Sequence, residues 1–205
     1  RIRFGALAEE IGSRPILDEL AHSWRLVSQI QKEVMEARLI PVGQVFQRFH
    51  RLVRDLSRDT GKPLSLDVNG AEIGLDRVVL EGMVDPLVHL IRNAVDHGIE
   101  LPDERIAAGK PAQARIILSA SRERNHVVIE VVDDGRGIDL DRVARAAPAH
   151  GVASARPVDL TDDDICRVIT APGFSTSDAV DALSGRGMGM NIVKKTVDSF
   201  GGSIR

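Results

Sequence analysis

Three groups of residues have the types and spacing to do chemistry. The first is His89-Leu90-Ile91-Arg92-Asn93-Ala94-Val95-Asp96-His97-Gly98. On a helix, His89, Asn93 and either Asp96 or His97 share a face, because residues three and four apart are neighbours. An asparagine oxygen is a hard ligand suited to Mg²⁺, whose shell is completed by phosphates and water. An ordinary amphipathic helix with a polar outside has the same pattern. The second group is Val131-Val132-Asp133-Asp134-Gly135-Arg136-Gly137-Ile138. A β-run ending in Asp133 puts a carboxylate where it can accept a hydrogen bond from an exocyclic amine. Gly135 and Gly137 let a ligand ring approach the chain. A tight turn after a strand uses the same residues. The third group is Gly185-Arg186-Gly187-Met188-Gly189, opening onto a helix. Alternating glycines free successive N–H groups to point at an anion, and the helix start adds favourable partial charge. It is neither a Walker loop nor a dinucleotide fingerprint, and a hinge before a helix is the plainer reading. Upstream, Phe174-Ser175-Thr176-Ser177 leads through small and polar residues to this box, which suits a mobile cover over bound phosphates.

The surrounding elements must bring these groups together. Leu17, Leu20, Trp24, Val27, Ile30, Val34 and Ala37 form a helical seam that Pro41 stops. The seam fits a core helix, or a helix that packs on a second protomer. A second amphipathic helix carries Phe46, Phe49, Leu52, Val53 and Leu56 and ends near Asp59–Pro63; Arg1–Gly12 fits the tail of an earlier helix. Leu64–Val68 alternates as a strand and ends in the turn pair Asn69-Gly70. Asp85-Pro86 opens a helix with Leu87, Leu90, Ile91, Ala94 and Val95 on one face. Ala114–Ala120 and His126–Val132 predict a hairpin with Ser121–Asn125 as its loop. The stretch from Asp139 to Ser184 reads as loop-rich, and a last helix runs from Met190 to Phe200. This order is α+β, without the regular βαβ alternation of a parallel sheet.

Composition narrows the class. Hydrophobic residues make up 43% of the 205 residues and charged ones 28%, which describes a globular protein and excludes a fibre or extended disorder. The net charge of −3 gives no pull toward nucleic acid. A single cysteine, Cys166, forms no internal disulfide, and a reducing, cytoplasmic setting is expected. No apolar run reaches the roughly 20 residues that span a bilayer. The opening Arg1-Ile2-Arg3 and the abrupt end at Arg205 suggest a piece of a longer chain.

The order of the three groups is more specific than any of them. An Asn-bearing helix, then Asp-x-Gly-x-Gly, then Gly-x-Gly-x-Gly before a helix resembles the superfamily of ATP-binding domains shared by gyrases, heat-shock chaperones, histidine kinases and MutL proteins. Within it, the chain is most similar to chemotaxis histidine kinases of the CheA type. The resemblance is carried by Val34–Pro41, Arg48-Phe49, Arg51–Leu56, Leu87–Glu100, Arg105–Pro111 and both glycine boxes. It implies a two-layer α/β sandwich of the Bergerat fold, its mixed sheet covered on one face by helices, over residues 59–205. A helical dimerisation segment over residues 1–58 would precede it, and the final strands of the ATP sheet would lie beyond the chain.

Carried over by position, Asn93 would coordinate Mg²⁺ on the ATP phosphates, and Asp133 would accept the adenine amino group beside Gly135, Gly137 and Ile138. His89, Asp96 and His97 would lie near the phosphates, with Gly185, Arg186, Gly187, Met188 and Gly189 around them. Phe174, Ser175 and Thr176 would begin a lid that extends to Leu183. At position 89, hydrolases of the superfamily carry a Glu that activates water; His89 favours a kinase that keeps the γ-phosphoryl for a histidine acceptor. The implied partners are a phosphoacceptor histidine domain, CheY-like response regulators, a coupling protein and receptors bound through further domains, and a second copy of the chain. Receptor complexes would hold it at the membrane. A catalytically weak ATP-binding scaffold of a signalling array is the alternative, motivated by Ser177, where some relatives have a phosphate-reaching Lys, and by the short dimerisation segment. His50 departs from the resemblance as well, standing where the pattern has a proline.

Overall fold

Proline and glycine set the limits of the first two helices. The computed structural model describes residues 14–152, 156–174 and 189–205. Helix α1 (Arg14–Ala37) stops ahead of Pro41, as expected, and is followed by the short strand β1 (Leu39–Pro41). Helix α2 (Gly43–Thr60) ends at Gly61, whose φ of 68° provides the left-handed cap. The expected helix tail over Arg1–Gly12 and the lid beyond Phe174 lie outside the described residues.

The chain divides into two compact units, Arg1–Ile40 and Pro41–Arg205. In the first, α1 is a single helix along which Trp24, Leu26, Val27 and Ile30 are exposed. The second unit contains α2, which the sequence reading groups with the helical segment; here α2 packs against the sheet.

That unit continues through β2 (Leu64–Asn69), β3 (Gly74–Asp76), α3 (Arg77–Gly82) and α4 (Val84–Asn93). After α4 come α5 (Pro102–Ala107), β4 (Ala114–Glu123), β5 (His126–Asp133), α6 (Leu140–Ala146), α7 (Asp162–Ile169) and α8 (Met190–Ser199). The three-stranded sheet has the order β2-β4-β5, with β2 parallel and β5 antiparallel to β4. Successive strand residues point to opposite faces. Leu64, Leu66 and Val68 align with Ala114, Ile116 and Leu118, and these β4 residues are fully buried. On that face α2 packs against β2, and α4 touches α2, β5 and α8. The other face is polar: Arg115 pairs with Asp67, and Ser119 donates to Glu130 at 3.1 Å. One covered and one polar face give the mixed, two-layer α/β arrangement expected.

Two expectations are corrected. The β4–β5 ladder runs on to Glu123 opposite His126, leaving only Arg124 and Asn125 as the turn. Arg124 has a φ of 48°, the positive value a two-residue hairpin turn requires. The described part of the stretch from Asp139 to Ser184 is also less loop-like than its prolines suggest. Asp139 caps α6 by accepting the Arg142 N–H at 2.9 Å, and Thr161 and Asp164 form a reciprocal capping box on α7. Pro148 and Pro157 lie in short 3₁₀ turns, near whose starts a missing N–H costs little. Val143, Ala147, Val152 and Val168 make a satellite core there, with Phe174 packed against it.

The covered face should dominate stability. Leu118→Ala is expected to cost about 2–5 kcal/mol by cavity formation. Val132→Ala, on the polar face, should change stability by no more than about 0.5 kcal/mol. Urea unfolding of both variants checks the assignment of the faces.

Candidate nucleotide site

Asn93 is the last residue of α4, and the chain then widens into a π-turn, Ala94–Gly98. The Ile99 N–H donates to the Ala94 carbonyl at 2.8 Å, five residues back. Such widened turns recur at functional sites because they swing side chains off the regular helical track. Lys62, just past α2, supports this one by donating from Nζ to the Val95 and Ile99 carbonyls at 2.5 and 2.7 Å. Asp96 and His97 are exposed on the turn.

His89 is partly buried one turn before Asn93. Burial lowers its imidazole below the ordinary value, and the neighbouring charge of His97 lowers it further. The sequence left Asp96 and His97 as alternatives on the His89 face; His97 is the one whose charge His89 senses. Asn93 Nδ2 donates to Met190 Sδ at 3.6 Å, which ties the end of α4 to the start of α8 and turns the amide oxygen away from that sulfur. Gly189 immediately precedes α8, and its carbonyl accepts the Ile192 N–H at 2.9 Å. The residue that follows the last glycine of the third box therefore reaches Asn93 through its side chain. Ser175, Thr176, Gly185, Arg186, Gly187 and Met188 lie outside the described residues.

Asp133 ends β5 and stands directly over the π-turn. A Cβ on Gly98 would come within 3.0 Å of Asp133 Oδ1. A Cβ on Gly135 would fall 2.4 Å from the Gly98 carbonyl carbon and oxygen, so two backbones meet here with no room for a side chain at 135. The Gly135 N–H donates to Asp133 Oδ1 at 2.9 Å, and the Arg136 N–H donates to the Gly98 carbonyl at 2.8 Å. These contacts occupy Oδ1 and leave Asp133 able to accept through Oδ2. Gly137 adopts a φ of 75°, and Ile138 is 53% exposed beyond it.

Sequence reasoning missed a charge cluster behind this loop. Arg105 is only 1% exposed. Its guanidinium reaches Glu100 at 3.2 Å, the Asp134 carboxylate at 2.8 Å, the Asp134 carbonyl at 3.2 Å and the Pro111 carbonyl at 2.8 Å. Lys110 Nζ donates to Glu100 Oε1 at 2.7 Å and to the Asp134 and Gly135 carbonyls at 3.1 and 2.8 Å. The hydrogen bond from Lys110 is the largest influence on Glu100; with Arg105 it holds that carboxyl below its usual range despite burial. A buried cation needs such a full set of partners. The five-residue spacing of 100, 105 and 110 matches neither helical nor strand periodicity.

Among the described residues, no three His, Cys, Asp or Glu side chains cluster to hold a metal. A single asparagine oxygen fits an ion such as Mg²⁺, which keeps its waters and shares phosphate oxygens.

A family model described as histidine kinase-, DNA gyrase B-, and HSP90-like ATPase matches residues 82–205, more than half of the chain. The chain belongs to this ATPase family. The match takes in α4, the π-turn, β5 and α8. Resemblance to CheA-type kinases extends over the rest. The chain is 40% identical over 205 residues to the chemotaxis protein CheA of Bacillus subtilis, covering all of this chain and 30% of that protein. It is 45% identical over 196 residues to chemotaxis protein CheA of Halobacterium salinarum, covering 95% and 29% of the two chains. Against the sensor histidine kinase CheAY of Helicobacter pylori it is 43% identical over 180 residues, 87% of this chain and 22% of the other. The ATPase chain thus spans about a third or less of these relatives. None of its described helices is long and apolar enough to cross a membrane.

The neutral state of His89 has a pH signature. Its folded value lies below the unfolded one of about 6.5, so the unfolded chain binds more protons between the two. The stability from keeping His89 neutral is complete above the unfolded value and is lost as pH falls through the folded one. NMR titration should place the His89 midpoint below that of an exposed histidine, and His97→Gln should move it back upward.

Proposed function

We propose that residues 59–205 form the ATP-binding domain of a CheA-like protein histidine kinase, which passes the γ-phosphoryl of ATP to a histidine on a separate phosphoacceptor domain. The observation that carries this reading is the meeting of Asn93 and Asp133 at the two ends of one π-turn, with Met190 of α8 held against Asn93. It is supported by similarity along the whole of this chain to a part of a protein named chemotaxis protein CheA.

Asp133 Oδ2 accepts the adenine amino group, while the backbone contact of Gly98 with Gly135 gives the ring a surface without side chains. Asn93 Oδ1 would hold Mg²⁺, which neutralises phosphate charge when bound. His89 is partly buried, and burial favours its neutral imidazole, whose unprotonated ring nitrogen can accept a proton. No carboxylate stands in its place to activate water, which favours transfer over hydrolysis. Ser175, Thr176, Gly185, Arg186, Gly187 and Met188 complete the lid and phosphate box, with Phe174 as the lid's root on the satellite core. Within the segment over residues 1–58, α1 serves dimerisation through its exposed apolar residues, while α2 packs on the sheet. CheY-like response regulators take the phosphoryl from the acceptor. A coupling protein and receptors engage further domains of the whole protein and bring this cytoplasmic enzyme to the membrane.

Calorimetry with Mg²⁺-ATP tests the reading. Asn93→Asp and Asp133→Ala should each weaken binding about 10- to 100-fold, the worth of a hydrogen bond to a charged group. With an acceptor domain added, His89→Gln should bind ATP but label the acceptor poorly. Binding without any acceptor labelling would indicate the scaffold, and phosphate release without acceptor would indicate a hydrolase.

A further inference from the structure

The cluster behind the Asp133 loop does more than neutralise itself. Arg105 and Lys110 reach forward to the backbone of Asp134 and Gly135, the two residues that follow Asp133. The Asp134 carboxylate is gripped from two sides, by Arg105 and by the Arg115 N–H at 3.1 Å. On the opposite side, Gly98 meets the same loop through the Arg136 N–H and the close approach of Gly135. The loop is therefore held both by the cation cluster and by Gly98, and the hydrogen bond from Gly135 to Asp133 Oδ1 links these contacts to the carboxylate.

We propose that Arg105 and Lys110, acting through Asp134 and Gly135, are positioning residues that orient Asp133 and so set the preference for a 6-amino purine over a 6-oxo purine. This rests on the ATP-binding reading above. An ionised carboxylate can only accept, so it attracts an amino group and repels a carbonyl oxygen, provided it is held in place. A slack loop lets Asp133 rotate away or be replaced by water, and the distinction is lost. Glu100 belongs to the same device, because it anchors both cations from the far side and keeps their charges matched.

The test uses the 205-residue chain with ATP and inosine triphosphate, which differ at the purine 6-position, in the presence of Mg²⁺. Lys110→Met and Asp134→Asn should weaken ATP binding by about tenfold and narrow the ATP preference by a similar factor, the range for a hydrogen bond to a charged group. Without nucleotide, amide exchange at Gly135 and Arg136 should quicken while that of Leu118 in β4 stays unchanged. The Lys110 side chain is 31% exposed, so its variant should fold even if changes nearer Arg105 do not. Folded variants that keep both the ATP affinity and the preference overturn this inference alone. Equal weakening of both nucleotides, with the preference intact, overturns it too. A wild-type chain that binds neither nucleotide overturns the ATP reading and the inference with it.

Discussion

Burying a guanidinium is costly unless its nitrogens find acceptors, and each of the three on Arg105 does, among two carboxylates and two backbone carbonyls. The acceptors come from three places: Glu100 after the π-turn, Pro111 before β4, and Asp134 after β5. Satisfying one cation therefore fixes the relative positions of the π-turn, the sheet and the loop that carries Asp133. Hydrophobic burial on the covered face of β4 supplies stability, but it is not directional. Register at the site comes from these hydrogen bonds, with Lys110 adding a second cation on the Asp134 carbonyl and reaching that of Gly135 as well.

The π-turn solves a placement problem. A straight helix through Gly98 would carry Asp96 and His97 onward along the α4 track. The widened turn instead puts Gly98 beneath Asp133 and His97 within electrostatic reach of His89, while leaving Val95 buried. A π-turn forgoes some hydrogen-bond quality, and the two bonds from Lys62 offset part of that loss. One short turn thereby meets both His89, through His97, and Asp133, through Gly98.

Local signals were easiest to read. The helix end near residues 59–63, the turn pair Asn69-Gly70 and the β-rich runs of β4 and β5 each act within a few residues, and the structure follows them. The caps Asp139 and Thr161 with Asp164 were equally local, but Pro148 and Pro157 between them drew the reading toward loop. The polar face of α4 and the glycine boxes pointed to the nucleotide by type and order. What the chain hides is pairing across distance. Nothing near Arg105 marks Asp134 as its partner, and α2 belongs with the sheet through contacts that its amphipathic pattern leaves undirected.

Lys62 has a consequence for how the chain is made. Its partners Val95 and Ile99 lie 33 and 37 residues downstream, Arg105 waits a further 29 residues for Asp134, and Asn93 waits 97 for Met190. Contacts of long sequence separation close late, because each must first overcome the entropy of the intervening loop. On the ribosome, Leu87 and Ile91 of α4 are synthesised well before α8, one of the helix's neighbours in the fold. A half-made chain thus presents an unfinished apolar helix to its surroundings, which makes the interval before α8 emerges the time of greatest exposure to misassembly and to chaperones.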